Sequence, residues 1–476
     1  MHRSNLRSTL PRLLSAVINT LPCLAIGFLA ACGGGDGSTA TGEPNPPIQT
    51  VNLAVAGQAV IKVRTAGNVI ALLEERLTSI FEPGPQRTLA ILQADGRTAH
   101  SYVSPTGWSV IDFAVHPSGD ISVALTTVRE VRIVRLNRNG ETRSDQLFLD
   151  PAAATDPFYD YEGGVRDDTA LQPVLTHDAV RVMPLGESLA VVLRTGRNAI
   201  VAYRLDVDAS GGYTRAWRTL VEPGSSILGE GITSGSFDVF GQLVNQLMIF
   251  VDVDAAGTLA VGVVDAPFSN FAFRAHTEYF GEPIAASVGI LLTRLAIVDG
   301  QRMGTTAVDT NVRAELHGVR ATPQGFALVG RVLSEMRSDG TGWNAFAALI
   351  RRDGTTGPYS VVDVDRGDVL FDIAALPSGR YVALGTTAYV QNPTGASISE
   401  DAQPLLALLN ADGSLARSVA FTGGARHNQL STVASLDGRW LLGGMRNGPG
   451  THSGDTQREL ISADGFLLEM DDLEIQ

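Results

Sequence analysis

The chain has 476 residues, 44% of them hydrophobic and 18% charged, with a formal net charge of −14. That composition is globular rather than disordered, and the length suffices for a large core or several domains. The acidic balance argues against nucleic acid as a partner, because neutralising phosphates needs a basic face.

The first element in chain order is a leader. Arg3, Arg7 and Arg12 form a positive region, followed by an apolar run over 13–29 that is short for a membrane span and broken by Pro22. Leu29-Ala30-Ala31-Cys32 comes next and resembles the lipobox of bacterial lipoproteins. The resemblance implies that residues 1–31 are a signal peptide and that Cys32 becomes the lipidated N-terminus, acylated with chains such as palmitate. Gly33 stands where an aspartate implies inner-membrane retention, so the expected address is the outer membrane, held by a multi-chain anchor. Cys23 leaves with the leader and Cys32 carries lipid, so the mature fold is expected to have no disulfide. Residues 32–50 read as a tether, flexible where Gly and Ser dominate and stiffer where Pro does.

From residue 51 onward the pattern is all-β. In the stretch 112–125, DFAVHPSGDISVAL, the residues Phe113, Val115, Ile121, Val123 and Leu125 alternate with others around a Pro117-Ser118-Gly119 turn. This strand–turn–strand unit returns with turn glycines at Gly67, Gly119, Gly186, Gly257, Gly325, Gly379 and Gly438. A second turn follows each: Asp95-Gly96, Asn139-Gly140, Ser210-Gly211, Asp299-Gly300, Asp353-Gly354, Asp412-Gly413 and Asp464-Gly465. Asp-Gly and Asn-Gly suit a type I′ hairpin, which needs positive φ at both central positions. Two hairpins per unit and seven units predict a β-propeller of seven four-stranded blades over 51–476, since one small sheet cannot bury both its faces alone. A tandem of sandwiches would not explain the shared glycine spacing, and a solenoid has shorter, more regular repeats. Ring closure is expected to pair Val51–Ala56 with the last blade. The unit, including Arg135-Leu136-Asn137, resembles the bacterial delta-60 repeat of secreted and lipid-anchored propellers, which implies a fold but no activity.

Two stretches break the repeat: the acidic 150–178 and the Gly/Ser-rich 222–247. If both leave one face they shape the mouth of the ring. Asp160, Asp168, His177, Asp238 and His317 are the candidate mouth or channel residues, against a default of solvated carboxylates and satisfied histidines. His177 and His317 are a candidate metal pair, and His116 reads as a turn residue. Tyr159 and Tyr161 suit stacking on a sugar. Asp206, Asp208 and Ser210 resemble the first half of a calcium loop, which makes Ca²⁺ the candidate cofactor, although Trp217 stands where the closing glutamate belongs. Their alternative is a polar hairpin turn. Arg366-Gly367-Asp368 is short enough to arise by chance. There is no G-x-S-x-G, no H-E-x-x-H and no P-loop. The expected function is a non-enzymatic envelope scaffold that presents a propeller face to a protein or glycan partner. The competing reading is a propeller hydrolase or lyase acting on a polysaccharide or lactone through axial Asp and His groups.

Overall fold

A computed structural model describes residues 59–76, 86–93, 98–127, 130–148, 180–194, 200–222, 249–264, 280–281, 289–312, 314–335, 342–388, 402–421, 427–448 and 464–470. All of them lie within one unit, Pro46–Gln476. They form 27 strands and no α-helix. The strands make seven antiparallel sheets in simple up-and-down order, six of four strands and a last of three. The sheets span 59–103, 109–148, 180–222, 250–309, 314–362, 369–420 and 427–470, hereafter blades 1 to 7.

The first strands are Ala59–Ala66, Ser109–Val115, Val180–Leu185, Phe250–Val253, Ala314–Thr322, Val369–Ala375 and His427–Leu436. Each lies against the first strand of the next blade, and Ala59–Ala66 lies against His427–Leu436, so the ring closes. This is an all-β, seven-bladed propeller, as the two-hairpin unit predicts.

The alternating pattern sorts residues differently from a half-buried strand. Ile121–Thr126 is buried along its whole length. Val123 and Leu125 pack with Val69, Leu73 and Leu89 of blade 1, while Ala124 packs with Val182 and Val191 of blade 3. Alternation therefore decides which neighbour a side chain meets, because a blade is sandwiched on both faces. The outermost strand meets water most, and Thr142–Phe148 alternates exposed with half-buried residues accordingly. Seven apolar clusters fill the seven seams; the last joins Val60, Val63 and Leu72 to Leu436, Leu441 and Leu467.

Six of the seven turn glycines fall between the first and second strands of their blades, and Gly325 opens the second strand of blade 5. Gly67-Asn68 and Asp437-Gly438 are two-residue turns with both φ positive, the type I′ geometry. The second turns differ from expectation. In Asn137–Glu141 the Asn137 N–H donates to Glu141 O at 2.8 Å, Gly140 N–H to Asn137 O at 2.9 Å, and Gly140 alone has positive φ. Asn137–Glu141, Asp208–Gly212, Arg351–Thr355 and Asn410–Ser414 are three-residue loops ending in a glycine bulge, so Asn139 needs no left-handed conformation, while Ala296–Gln301 is one residue longer. Asp464-Gly465 is a further correction: it opens the third strand of blade 7, paired with Arg446 and Met445, and is not the turn beyond it. Asp95-Gly96 and the closing segment Val51–Ala56 lie outside the described residues.

Candidate functional site

Five first strands carry a register shift at the same place: between Val60 and Lys62, Val110 and Asp112, Leu316 and Gly318, Leu370 and Asp372, and Leu430 and Thr432. An inserted residue re-aims the side chain that follows it. Three of those side chains hold the next blade by its backbone. Asp112 Oδ2 accepts the Val182 N–H at 3.0 Å, Asp372 Oδ2 accepts the Val433 N–H at 2.9 Å, and Thr432 Oγ1 accepts the Val63 N–H at 3.2 Å. In blade 4, Asp252 Oδ2 does the same for Ala321 at 2.7 Å. Blades 2, 4, 6 and 7 are thus tied to blades 3, 5, 7 and 1 at the axis.

Cations complete the cluster. Lys62 Nζ donates to Asp112 Oδ1 at 2.7 Å, and Arg64 Nη2 lies 3.5 Å from the other oxygen while its Nη1 donates to Val182 O at 2.8 Å. Arg320 grips Asp372 with two parallel bonds, Nε to Oδ1 at 2.6 Å and Nη2 to Oδ2 at 2.7 Å. Arg181 stacks over the Phe250 ring with its guanidinium carbon 5.7 Å from the centroid. Arg64 of blade 1 interacts electrostatically with Asp112, Arg320, Asp252 and Arg181, from blades 2, 5, 4 and 3, which places all of them around one centre.

Burial alone would raise Asp112, but Arg64, Lys62 and Arg181 together hold it well below the usual carboxylate range. Burial dominates at Asp252 and raises it, against the pull of Arg320. Burial also lowers Lys62, with Arg64 and Arg181 adding to the effect and Asp112 opposing it, toward about 7. A quarter of the Lys62 side chain (26%) stays open to water, which screens its neighbours and limits that shift. Mutual satisfaction is what makes so much buried charge tolerable.

A second polar knot closes the seam between blades 2 and 3, and it accounts for the Arg-Leu-Asn stretch. Arg135 donates through Nε to Asp120 Oδ2 at 3.1 Å and through Nη2 to Glu187 Oε2 at 2.6 Å. Leu136 is fully buried. Asn137 Oδ1 accepts the Asn139 and Glu141 N–H groups at 2.9 Å each. His116 is no plain turn residue: it is fully buried, with Nδ1 2.8 Å from Gly186 O and Nε2 2.7 Å from Ser122 Oγ. Ser122 in turn meets the Tyr213 hydroxyl. Burial holds His116 below its ordinary value, against the bond to Gly186.

Of the five candidate mouth residues, Asp160, Asp168, His177 and Asp238 lie outside the described residues. His317 is the inserted residue of blade 5, edge-on to Phe371 of blade 6 with ring centroids 5.5 Å apart, and its Nε2 is 3.7 Å from Glu315 Oε2. Asp206 and Asp208 have separate partners. Asp206 Oδ1 accepts from Arg204 Nε at 2.7 Å and Ser188 Oγ at 2.8 Å. Asp208 Oδ1 accepts the Ser210 and Gly212 N–H groups at 2.8 and 3.0 Å and the Ser210 hydroxyl at 2.6 Å, the geometry of a self-capping turn. Among the described residues no three His, Cys, Asp or Glu side chains group as metal ligands do. Asp368 of the Arg-Gly-Asp tripeptide is fully buried and accepts the Val364 N–H at 2.7 Å, which removes it from any surface role.

Sequence reasoning missed the axial cluster. Its members are spread over six blades, and only the ring brings them together. The one available signal was a charged residue repeatedly placed in an apolar first strand, at Lys62, Asp112, Asp252 and Asp372.

No protein-family model matches the chain, and no curated protein sequence does. Solved structures match over most of its length. BamB from Moraxella catarrhalis is 11% identical, covering 87% of this chain and 85% of its own, with a TM-score of 0.38. The β-propeller domain of Myceliophteria thermophila Cps50 (Swd1) is 10% identical, covering 89% and 100%, with a TM-score of 0.44. The Dos1 propeller is 7% identical, covering 88% and 93%, with a TM-score of 0.44. The fold assignment rests on the strand pairing, not on these likenesses.

Proposed function

We propose that this chain is a membrane-anchored β-propeller lipoprotein of the bacterial envelope that presents a face of its ring to a protein or glycan partner. One observation carries the reading. Asp112, Asp252 and Asp372 are all engaged in holding the next blade's backbone, and two of them also bind cations. A ring tied in this way is a stiff platform, and recognition then belongs to the connections at its faces. The anchor is supported by the leader, by Leu29-Ala30-Ala31-Cys32 and by the tether over 32–50. Gly33 after the cysteine supports the outer membrane as the address.

The experiment has two arms. Full-length chain expressed in a Gram-negative host with labelled palmitate should carry label and fractionate with the outer membrane, and Cys32→Ala should do neither. Label retained in the variant would remove the anchor from the account. In cross-linking on intact envelopes, the wild type should capture a discrete partner. Replacing 150–178 by a short Gly/Ser linker should lose that partner without lowering the melting temperature. Capture of no partner by the wild type would count against the scaffold.

A further inference from the structure

Lys62 is the only lysine in the chain, because every other Lys or Arg position is arginine. It is also at the centre of the molecule. We propose that Lys62 is a reactive amine that forms a reversible imine with a small anionic carbonyl compound of the 2-oxo acid class at the propeller axis.

Position is the first argument. The inserted residue before Lys62 aims it at the axis, where Asp112 Oδ1 fixes its Nζ at 2.7 Å while 26% of the side chain stays open. An amine that is both held and reachable is what carbonyl attack needs. Charge is the second. Lys62, Arg64, Arg181 and Arg320 face the carboxylates Asp112, Asp252 and Asp372, an excess of one positive charge when all are ionised. A protonated imine keeps the fourth positive charge, and the carboxylate of the guest balances it. The cluster therefore favours an anionic carbonyl compound over a neutral one. Proton availability is the third. The groups facing Lys62 are Asp112 from blade 2, Arg64 on its own strand and Arg181 from blade 3. Burial and the two guanidiniums pull it toward about 7, so part of the population is the free amine at neutral pH. Arginine at this place would stay charged and inert, which gives the lone lysine a chemical meaning.

The step balances without an oxidant. The neutral amine adds to the carbonyl carbon, and the carbonyl oxygen leaves as water with the two amine hydrogens. A proton from solvent then gives the iminium, whose N–H donates to Asp112 as the ammonium did.

The test uses the folded full-length chain with glyoxylate and cyanoborohydride, whose hydride converts the imine into a stable carboxymethyl amine, followed by peptide mapping. Lys62 should be labelled saturably and about tenfold faster than with an uncharged aldehyde of similar size, a difference of roughly 1.4 kcal/mol. Oxalate should compete, and the rate should rise with pH through a midpoint well below the 10.5 of an ordinary lysine. The denatured chain supplies the reference, so no variant has to fold. Labelling of Lys62 no faster than in the denatured chain, or equal with charged and uncharged aldehydes, would overturn the proposal.

Discussion

Asp112 does three jobs with two oxygens: it accepts from Lys62, it sits beside Arg64, and it holds the Val182 N–H of the next blade. It is fully buried. Removing one partner of such a pair leaves the others desolvated and uncompensated, so Asp112→Ala should cost about 3–5 kcal/mol in chemical denaturation. Thr432→Val, which deletes one neutral bond to the Val63 N–H, should cost only about 1–3 kcal/mol. Titration gives opposite signs at two sites. Burial would raise Glu315, but Arg331 at 2.6 Å and His317 bring it down to about 2. Its folded value lies below its unfolded one, so its contribution is present above about pH 4.5 and is lost as pH falls toward 2. Lys62 is also lowered, but for a cation that is a cost. Between about 7 and 10.5 the unfolded chain binds more protons at this residue, so stability rises with pH there. Urea midpoints should show the acid loss shrinking in Glu315→Gln and the alkaline rise flattening in Lys62→Met.

At the scale of the element, the two glycine turns of neighbouring blades touch. A Cβ on Gly67 would sit 2.5 Å from Pro117 O and 2.7 Å from Gly119 N, and Gly67 has a φ of +55°. Gly186 has a similar φ of +64°, with nothing near its missing Cβ. Gly186→Ala should therefore cost about 1–2 kcal/mol from the left-handed backbone alone, and Gly67→Ala clearly more, in melts of the two variants side by side. Strand and turn positions were legible because glycine, proline and Asp-Gly report local backbone needs, and these survive without tertiary context. The repeat of Gly119, Gly379 and their equivalents even marked the correct hairpin. Two things were not legible. Asp464-Gly465 has the composition of a turn but opens a strand, since pairing with Met445 and Arg446 decides its state. His116 looked like turn chemistry, yet its ring is claimed by Gly186 of another blade, 70 residues away in sequence.

At the scale of the whole molecule, the axial charges and the seven apolar seams are two descriptions of one closure. Alternation in each strand divides its side chains between two neighbours, and the inserted residues turn charge inward to the axis. Neither role exists in an isolated hairpin, which explains why the sequence showed the number of blades but not the contents of their centre. On the proposed reading, a lipid at Cys32 and the tether after it hang this ring from the membrane for a partner to meet. The most direct measurement of closure uses the seam between blades 7 and 1. There the Thr65 hydroxyl donates to Ser435 O at 2.6 Å, across 370 residues of sequence. Thr65→Cys and Ser435→Cys, introduced with Cys23→Ser and Cys32→Ser, should form a rapid intramolecular cross-link under mild oxidation or with a short bis-maleimide, in monomers of the folded chain. No intramolecular product, or only cross-linked dimers, would contradict the closed ring.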